Sequence, residues 1–221
     1  MGTHLTLRAE DGHQFGAYRA DPSGTAKGVV IIVQEIFGVN HHIRNVCERV
    51  AQEGYIAIAP ALFDRLQPNF ECGYSAEDVE IARGFIPKIN WDHVMLDVKA
   101  TVESAKGLGK IGMMGFCFGG SVGYVSALKL PIDAAICCYG GQVVRHADTA
   151  PKCPTQMHFG DQDKSIPMSD VEAIISKRND CDIHVYHAGH GFMCDERGSF
   201  DAECSALAWS RSLAFLKQHI G

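Results

Sequence analysis

The chain has 221 residues, of which 46% are hydrophobic and 21% charged, so it can bury a substantial core and is expected to form one domain over residues 1–221. Its formal net charge is −6, and no run of Lys or Arg interrupts this balance, which argues against a nucleic-acid partner. No apolar stretch reaches 18 residues, so no membrane partner or membrane span is expected.

The start of the chain and its cysteines indicate a reducing compartment. Residues 1–15 lack the basic and apolar regions of a secretory signal. The nine cysteines are odd in number and contain no CxxC pair, so neither a disulfide framework nor a zinc ribbon is indicated. Cys47, Cys137 and Cys204 lie in apolar periodic runs and are expected to be small core residues. A cytoplasmic location is therefore expected.

The predicted elements begin with a hairpin around Asp11-Gly12. A β-branched run over 27–34 then predicts a strand that is buried on both faces. Asn40 is expected to cap a helix that Gly54 ends, and Pro60 is expected to stop the following strand. Ser75 can open a short helix that Pro87 stops. The remaining predicted elements are, in chain order, helix 92–106, strand 110–115, helix 118–129, strands 133–139 and 154–159, helix 168–178, strand 182–187 and helix 200–219.

This alternation of strands and helices predicts the fold class. Alternating elements favour an α/β fold whose doubly wound, mostly parallel sheet has helices on both faces and right-handed crossovers. Ligands of such sheets bind at the carboxyl ends of the strands. The candidate functional residues below all follow predicted strands.

The most informative motif is Gly115-Phe116-Cys117-Phe118-Gly119, which joins an apolar strand to a run that can be helical. It matches the G-x-nucleophile-x-G elbow of α/β-hydrolases, with Cys in place of the usual Ser. The flanking glycines permit the tight turn, and the positive end of the following helix favours a thiolate. A buried Cys in a Gly-rich turn is the alternative interpretation.

A nucleophile needs a base, and the base needs an acceptor that orients it. In α/β-hydrolases the chain order is nucleophile, acid, His. Asp163 and His190 follow Cys117 in that order, each after a predicted strand, so the three are the predicted catalytic residues. Asp161 is the second choice as acid, and either Asp could instead cap its loop.

Three histidines near one strand, His184, His187 and His190, raise the alternative of a metal site. The spacing places His184 and His187 on opposite faces of a strand, which disfavours a shared metal. We therefore expect no metal at these histidines.

The segment Gln34-Glu35-Ile36-Phe37-Gly38 ends the first core strand, where hydrolases place the second loop of the oxyanion hole. The backbone N–H groups of Ile36 and Phe118 are the expected donors to a developing oxyanion. Glu35 would be a carboxylate near the thiol that exchanges a proton with it. A salt-bridged or solvated loop Glu is the alternative.

Together these residues resemble the dienelactone hydrolase (carboxymethylenebutenolidase) family. The segments that carry the resemblance are QEIFGVN at 34–40, GFCFGG at 115–120, YGG at 139–141, HFGDQDKSIP at 158–167 and AGHGF at 188–192. The resemblance implies an α/β-hydrolase fold without a lid domain and a cofactor-free hydrolysis of a dienelactone. It implies Cys117 as nucleophile, His190 as base, Asp163 as its orienter, and Glu35 as the group that keeps the resting thiol neutral.

The chain departs from this family in its substrate pocket. The family places an Arg four residues after the catalytic His, where this chain has Cys194, and the next Arg is Arg197. Arg83 lies in the helix that carries the family's second substrate-binding Arg, although the positions do not match squarely. The other expected pocket residues are Phe37, Cys138, Tyr139 and Phe192.

The predicted function is cysteine-dependent hydrolysis of a small ester or lactone, with at most a modest preference for substrates that carry a carboxylate. A carboxylesterase or thioesterase of different specificity is the alternative within the class. A redox-sensing or ligand-binding protein on a hydrolase scaffold is the alternative outside it. A monomer or a small homo-oligomer is expected.

Overall fold

The computed structural model describes residues 2–221 as two compact units, one extending to Ile111 and the other from Gly112 to Gly221. Strands and helices alternate along the chain and the strands are mostly parallel, so the predicted α/β class is confirmed. The elements are β1 Thr3–Arg8, β2 Gln14–Ala20, β3 Val29–Val33, α1 His41–Gln52, β4 Ile56–Pro60, α2 Ala76–Arg83, α3 Trp91–Ala105, β5 Ile111–Phe116, α4 Phe118–Lys129, β6 Ala134–Cys138, α5 Val143–His146, β7 Thr155–Gly160, α6 Met168–Lys177, β8 Asp182–Tyr186 and α7 Ala202–Ile220.

The first unit contains the predicted hairpin and a short parallel pair. Its strand order is β1-β2-β4-β3; β1 and β2 are antiparallel, β2 pairs antiparallel with β4, and β4 pairs in parallel with β3. All five residues of β3 are buried, as the unbroken β-branched run predicts. Asn40 caps α1 by accepting a hydrogen bond from the Ile43 amide. This unit therefore places Glu35 just beyond the end of a fully buried strand.

The second unit is a parallel sheet with strand order β5-β6-β7-β8. Strands β5, β6 and β7 are buried along their whole length. Because the strands are parallel, the loops that follow β5, β7 and β8 leave from the same edge of this sheet. The residues Cys117, Asp163 and His190 lie in those three loops.

Three details differ from the sequence expectations. Pro87 does not stop α2; Gly84 follows its last residue, and Pro87 lies within a 3-10 turn at Ile86–Lys88, which accepts proline near its start. The helix α5 was not predicted, because four residues carry no readable periodicity. Cys204 is half-buried rather than a core residue, since α7 begins at Ala202 and places Cys204 in its first turn.

Among residues 2–221, no helix has both the length and the apolar character needed to cross a membrane.

Candidate active site

Cys117 occupies a strained turn between β5 and α4. Its backbone has φ 55° and ψ −112°, a conformation that costs a non-glycine residue about 1–3 kcal/mol. A Cβ on Gly115 would overlap the carbonyl oxygen of Gly119, so the first glycine of the motif is required by close packing. The Cys117 amide donates to the Cys138 carbonyl oxygen at 3.0 Å, which ties the turn to the neighbouring strand. The turn presents a half-exposed thiol at the N-terminus of α4.

Asp163 and His190 are joined in the loops beyond β7 and β8. Asp163 Oδ2 lies 2.7 Å from His190 Nδ1, and the carboxylate is almost fully buried. Asp163 Oδ1 accepts from the backbone amides of Ser165 at 2.7 Å and Ile166 at 3.1 Å, so both carboxylate oxygens are engaged. Ser199 Oγ donates to the His190 carbonyl oxygen at 2.7 Å and holds the loop from the other side.

Cys117 and Asp163 both act on the charge of His190. Burial of the imidazole lowers its pKa, but the negative charge of a Cys117 thiolate and the hydrogen bonds to Asp163 and Cys117 outweigh this and raise the pKa to about 10. Because Nδ1 faces Asp163, the other ring nitrogen, Nε2, is the one available to Cys117. The structure thus brings together the three residues that the sequence indicated, in the order thiol, imidazole, carboxylate.

The other candidates for acid and for metal ligands have separate partners. Asp161 Oδ2 lies 3.1 Å from His187 Nδ1, and the His187 side chain is 83% exposed. His184 Nε2 lies 3.0 Å from Asp182 Oδ1. His184, His187 and His190 therefore each face a different carboxylate.

Seven of the eight other cysteines are poor nucleophiles. Burial raises the pKa of seven other thiols, to about 11 for Cys72 and Cys153 and to about 12 for Cys181, and upward also for Cys47, Cys137, Cys138 and Cys204. A raised pKa leaves little thiolate at neutral pH.

Glu35 lies in the first unit among hydrogen-bonding neighbours. Its side chain is buried, with 1% of the residue exposed, and Tyr74 Oη donates to Glu35 Oε2 at 3.2 Å. Gln34 Nε2 donates to the Glu35 carbonyl oxygen at 3.2 Å while Gln34 Oε1 accepts from the Leu62 amide at 3.1 Å. The structure therefore excludes a solvated loop Glu. No sequence pattern indicated Tyr74, because a tyrosine in a loop has many possible neighbours.

The expected pocket residues divide into buried and exposed groups. Phe37, Cys138, Tyr139 and Phe192 are each at most 2% exposed. The Arg83 side chain is 63% exposed and pairs with Glu80 at 3.3 Å on its own helix.

Arg197 has a different environment from Arg83. A Cβ on Gly191 would overlap the Arg197 guanidinium, so this cation packs against the residue that follows His190. Gly191 has φ +77° and no side chain, and both features permit this close approach.

The first unit also holds a cavity of about 410 Å³ between β2 and the loops around Val39 and Phe70. None of the expected pocket residues lines it. Its charged groups are engaged locally: Arg44 donates to the Val39 carbonyl oxygen and to Glu71, and Asp64 accepts from the Gly16 and Asn69 amides.

The chain is similar to proteins named as carboxymethylenebutenolidases and to a structure named as a dienelactone hydrolase. A protein of Synechocystis sp. named "Putative carboxymethylenebutenolidase" is 37% identical over 219 residues, covering 90% of this chain and 89% of the relative. The carboxymethylenebutenolidase of Pseudomonas putida is 30% identical over 223 residues, covering 96% and 94%. A crystal structure from Klebsiella pneumoniae, described as a "Putative Dienelactone Hydrolase", superposes with a TM-score of 0.86 at 29% identity and covers 99% of both chains.

The fold and these relatives define an α/β-hydrolase that acts on ester bonds. The model of the dienelactone hydrolase family matches residues 15–220. The chain belongs to the dienelactone hydrolase family.

Proposed function

We propose that this protein hydrolyses small esters or lactones through a thioester on Cys117. The observation that carries the proposal is that His190 interacts with both other residues: it is hydrogen-bonded to Cys117, and its Nδ1 lies 2.7 Å from Asp163 Oδ2. A thiol, a base and a buried orienting acid in this order are the parts that nucleophilic acyl transfer requires.

The first half of the proposed reaction forms the thioester. The Cys117 sulfur attacks the carbonyl carbon of the substrate, and His190 carries the thiol proton on Nε2. As the tetrahedral intermediate collapses, the C–O bond breaks and the leaving oxygen takes that proton. In a lactone the leaving oxygen stays attached to the acyl group, so ring opening releases nothing at this stage.

The second half regenerates the enzyme. His190, neutral again, accepts a proton from a water that attacks the thioester carbonyl carbon. The C–S bond then breaks, and the proton on His190 Nε2 passes to the departing sulfur, which restores the neutral thiol. Asp163 stays ionised throughout and keeps Nε2 directed at the reacting atoms.

Stabilisation of the oxyanion is assigned to backbone amides. Phe118 directly follows Cys117 and is the first residue of α4, so its amide lies at the helix N-terminus beside the thiol. The helix N-terminus also favours negative charge. The segment 34–38 follows β3, where hydrolases place the second loop of the oxyanion hole, so we propose the Ile36 amide as the second donor.

We also propose that Glu35 keeps the resting thiol neutral, because a nearby carboxylate disfavours a thiolate, until substrate binds and His190 takes the thiol proton. Its burial with Tyr74 as hydrogen-bond donor supports a specific role over a solvated one. The wild type should then react slowly with iodoacetamide at neutral pH, a substrate-like anion should change that rate, and Glu35→Gln should raise the basal rate. Fast alkylation that is unchanged in Glu35→Gln would leave Glu35 with a structural role only.

The substrate class is proposed from Arg197. Its guanidinium packs beside the catalytic loop, whereas Arg83 pairs with Glu80 in an exposed position. Guanidinium groups bind carboxylates through paired hydrogen bonds. We expect Arg197→Ala to lower kcat/KM for a dienelactone but not for its methyl ester, with Arg83→Ala as the matched control. A preference for the free acid above about a hundredfold that is lost in Arg83→Ala would reverse this assignment.

The test of the proposed function uses an activated aryl ester. A burst of phenolate close to one equivalent per chain, followed by slower turnover, is expected for a thioester intermediate. Cys117→Ala should abolish both phases while keeping the circular dichroism spectrum of the wild type. Full activity in Cys117→Ala would overturn the proposal and favour a non-catalytic role for the thiol.

A further inference from the structure

Tyr139 lies between the nucleophile turn and the catalytic base of the second unit. It directly follows β6 and is completely buried. Its ring centroid lies 5.2 Å from that of His190, with the two planes at 63°. Its ring also contacts Phe192, two residues after His190, at 5.7 Å and the same angle. The aromatic ring therefore packs against the base and its loop at two points.

The backbone of the same residue is fixed from the other side. Cys138 accepts a hydrogen bond from the Cys117 amide at 3.0 Å, and the Tyr139 amide donates to the His158 carbonyl oxygen at 2.7 Å. A Cβ on Gly140 would lie 2.7 Å from the Ser121 amide nitrogen, so the segment 138–140 packs directly against the first turn of α4. Tyr139 thus connects the element that carries the thiol with the loop that carries the imidazole.

The backbone conformation of Tyr139 carries a cost that glycine would avoid. Its φ is +40°, in the left-handed region that glycine adopts without strain and a bulky aromatic residue rarely adopts. A strained, fully buried side chain in contact with a reacting group points to a requirement of the site.

We propose that Tyr139 is a positioning residue that fixes the plane of the His190 imidazole relative to Cys117. This inference rests on the proposed function, and it gives a specific role to a residue that the sequence indicated only as part of the substrate pocket. The ring, rather than the hydroxyl, carries the role, because the contacts to His190 and Phe192 are ring contacts. Hydrogen bonding to Asp163 leaves the imidazole able to pivot about Nδ1, and the Tyr139 ring restricts that motion.

The test compares Tyr139→Phe, Tyr139→Leu and a control, Tyr124→Leu. Tyr124 is also completely buried, lies in α4 and donates through its hydroxyl to the Thr149 carbonyl oxygen, so its loss tests general destabilisation. With an activated ester we expect kcat to fall about 10- to 100-fold in Tyr139→Leu with KM nearly unchanged, since a misplaced catalytic group costs on this scale. Tyr139→Phe should stay within about threefold of the wild type, as should Tyr124→Leu well below its melting temperature.

A spectroscopic readout separates positioning from stability. The His190 Nδ1–H proton, which is hydrogen-bonded to Asp163, should give a low-field NMR signal in the wild type and Tyr139→Phe that broadens or moves in Tyr139→Leu. Wild-type kcat and an unchanged signal in Tyr139→Leu would overturn the positioning role, and so would a loss of kcat in Tyr139→Phe equal to that in Tyr139→Leu. Activity in Cys117→Ala would instead show that the proposed function has failed, whatever the Tyr139 variants do.

Discussion

Replacing Asp163 with Asn should disable the base while leaving the loop nearly intact. Asp163 Oδ1 accepts two backbone amides, and an Asn must use its carbonyl oxygen for them because its NH2 group cannot accept. The NH2 group then faces His190 Nδ1 and selects the tautomer that carries its proton on Nε2. That tautomer cannot take a proton from Cys117.

The magnitude follows from the hydrogen bonds that a rescue would break. Turning the amide round to restore the productive tautomer leaves two buried backbone amides without acceptors, at about 2 kcal/mol each. The total of about 4 kcal/mol corresponds to about a thousandfold loss of kcat at 1.36 kcal/mol per decade.

The assay is steady-state hydrolysis of an aryl ester by Asp163→Asn and by Asp161→Asn, with thermal melts to confirm folding. Asp161 is the matched control because its partner is the exposed His187, so its substitution should change kcat less than about threefold. A severe loss in Asp161→Asn together with a mild one in Asp163→Asn would show that Asp161, rather than Asp163, is the acid of the site.

Two further predictions concern stability. Arg65→Met should lower the free energy of unfolding in urea by about 3–5 kcal/mol, because Arg65 Nη2 lies 2.7 Å from the fully buried carboxylate of Asp97 and its loss leaves that charge uncompensated. Arg83→Ala removes an exposed ion pair and should change the free energy of unfolding by less than about 0.5 kcal/mol. Equal effects of the two substitutions would contradict the role given to Arg65. The pKa of His190 is about 10 in the folded state against 6.5 unfolded, so its stabilising contribution is fully present below pH 6.5 and is lost as the pH rises towards 10. Urea titrations from pH 6 to pH 10 should show this loss, and it should be smaller in Asp163→Asn, which removes the carboxylate whose hydrogen bond raises this pKa; an identical pH slope in both proteins would contradict it.

The sequence predicted the elements well where local chemistry decides them. The unbroken β-branched run became β3, and the Ser75 and Asn40 caps both formed, because capping and burial on both faces act within a few residues. The end of α2 was predicted wrongly because the helix already ends at Gly84, and Pro87 lies in a separate 3-10 turn that follows it.

The three residues of the candidate site could be predicted from the sequence, but the residues that pack against them could not. Chain order suggested Cys117, Asp163 and His190, since each follows a strand of a parallel sheet. The hydrogen bond from Tyr74 to Glu35 and the ring contact of Tyr139 with His190 depend on tertiary packing, which the periodicity of the sequence does not encode. The position of Arg197 against Gly191 likewise depends on a glycine with positive φ.

The central claim is that Cys117 carries the acyl group during turnover. The most direct measurement is mass spectrometry of wild-type enzyme quenched in acid during steady-state turnover of a slowly deacylated aryl ester, followed by peptide mapping. We expect a mass increase of one acyl group on the peptide that contains Cys117, and no such increase in Cys117→Ala. An acyl group on any other residue, or full turnover by Cys117→Ala without an acyl-enzyme, would contradict this role of Cys117.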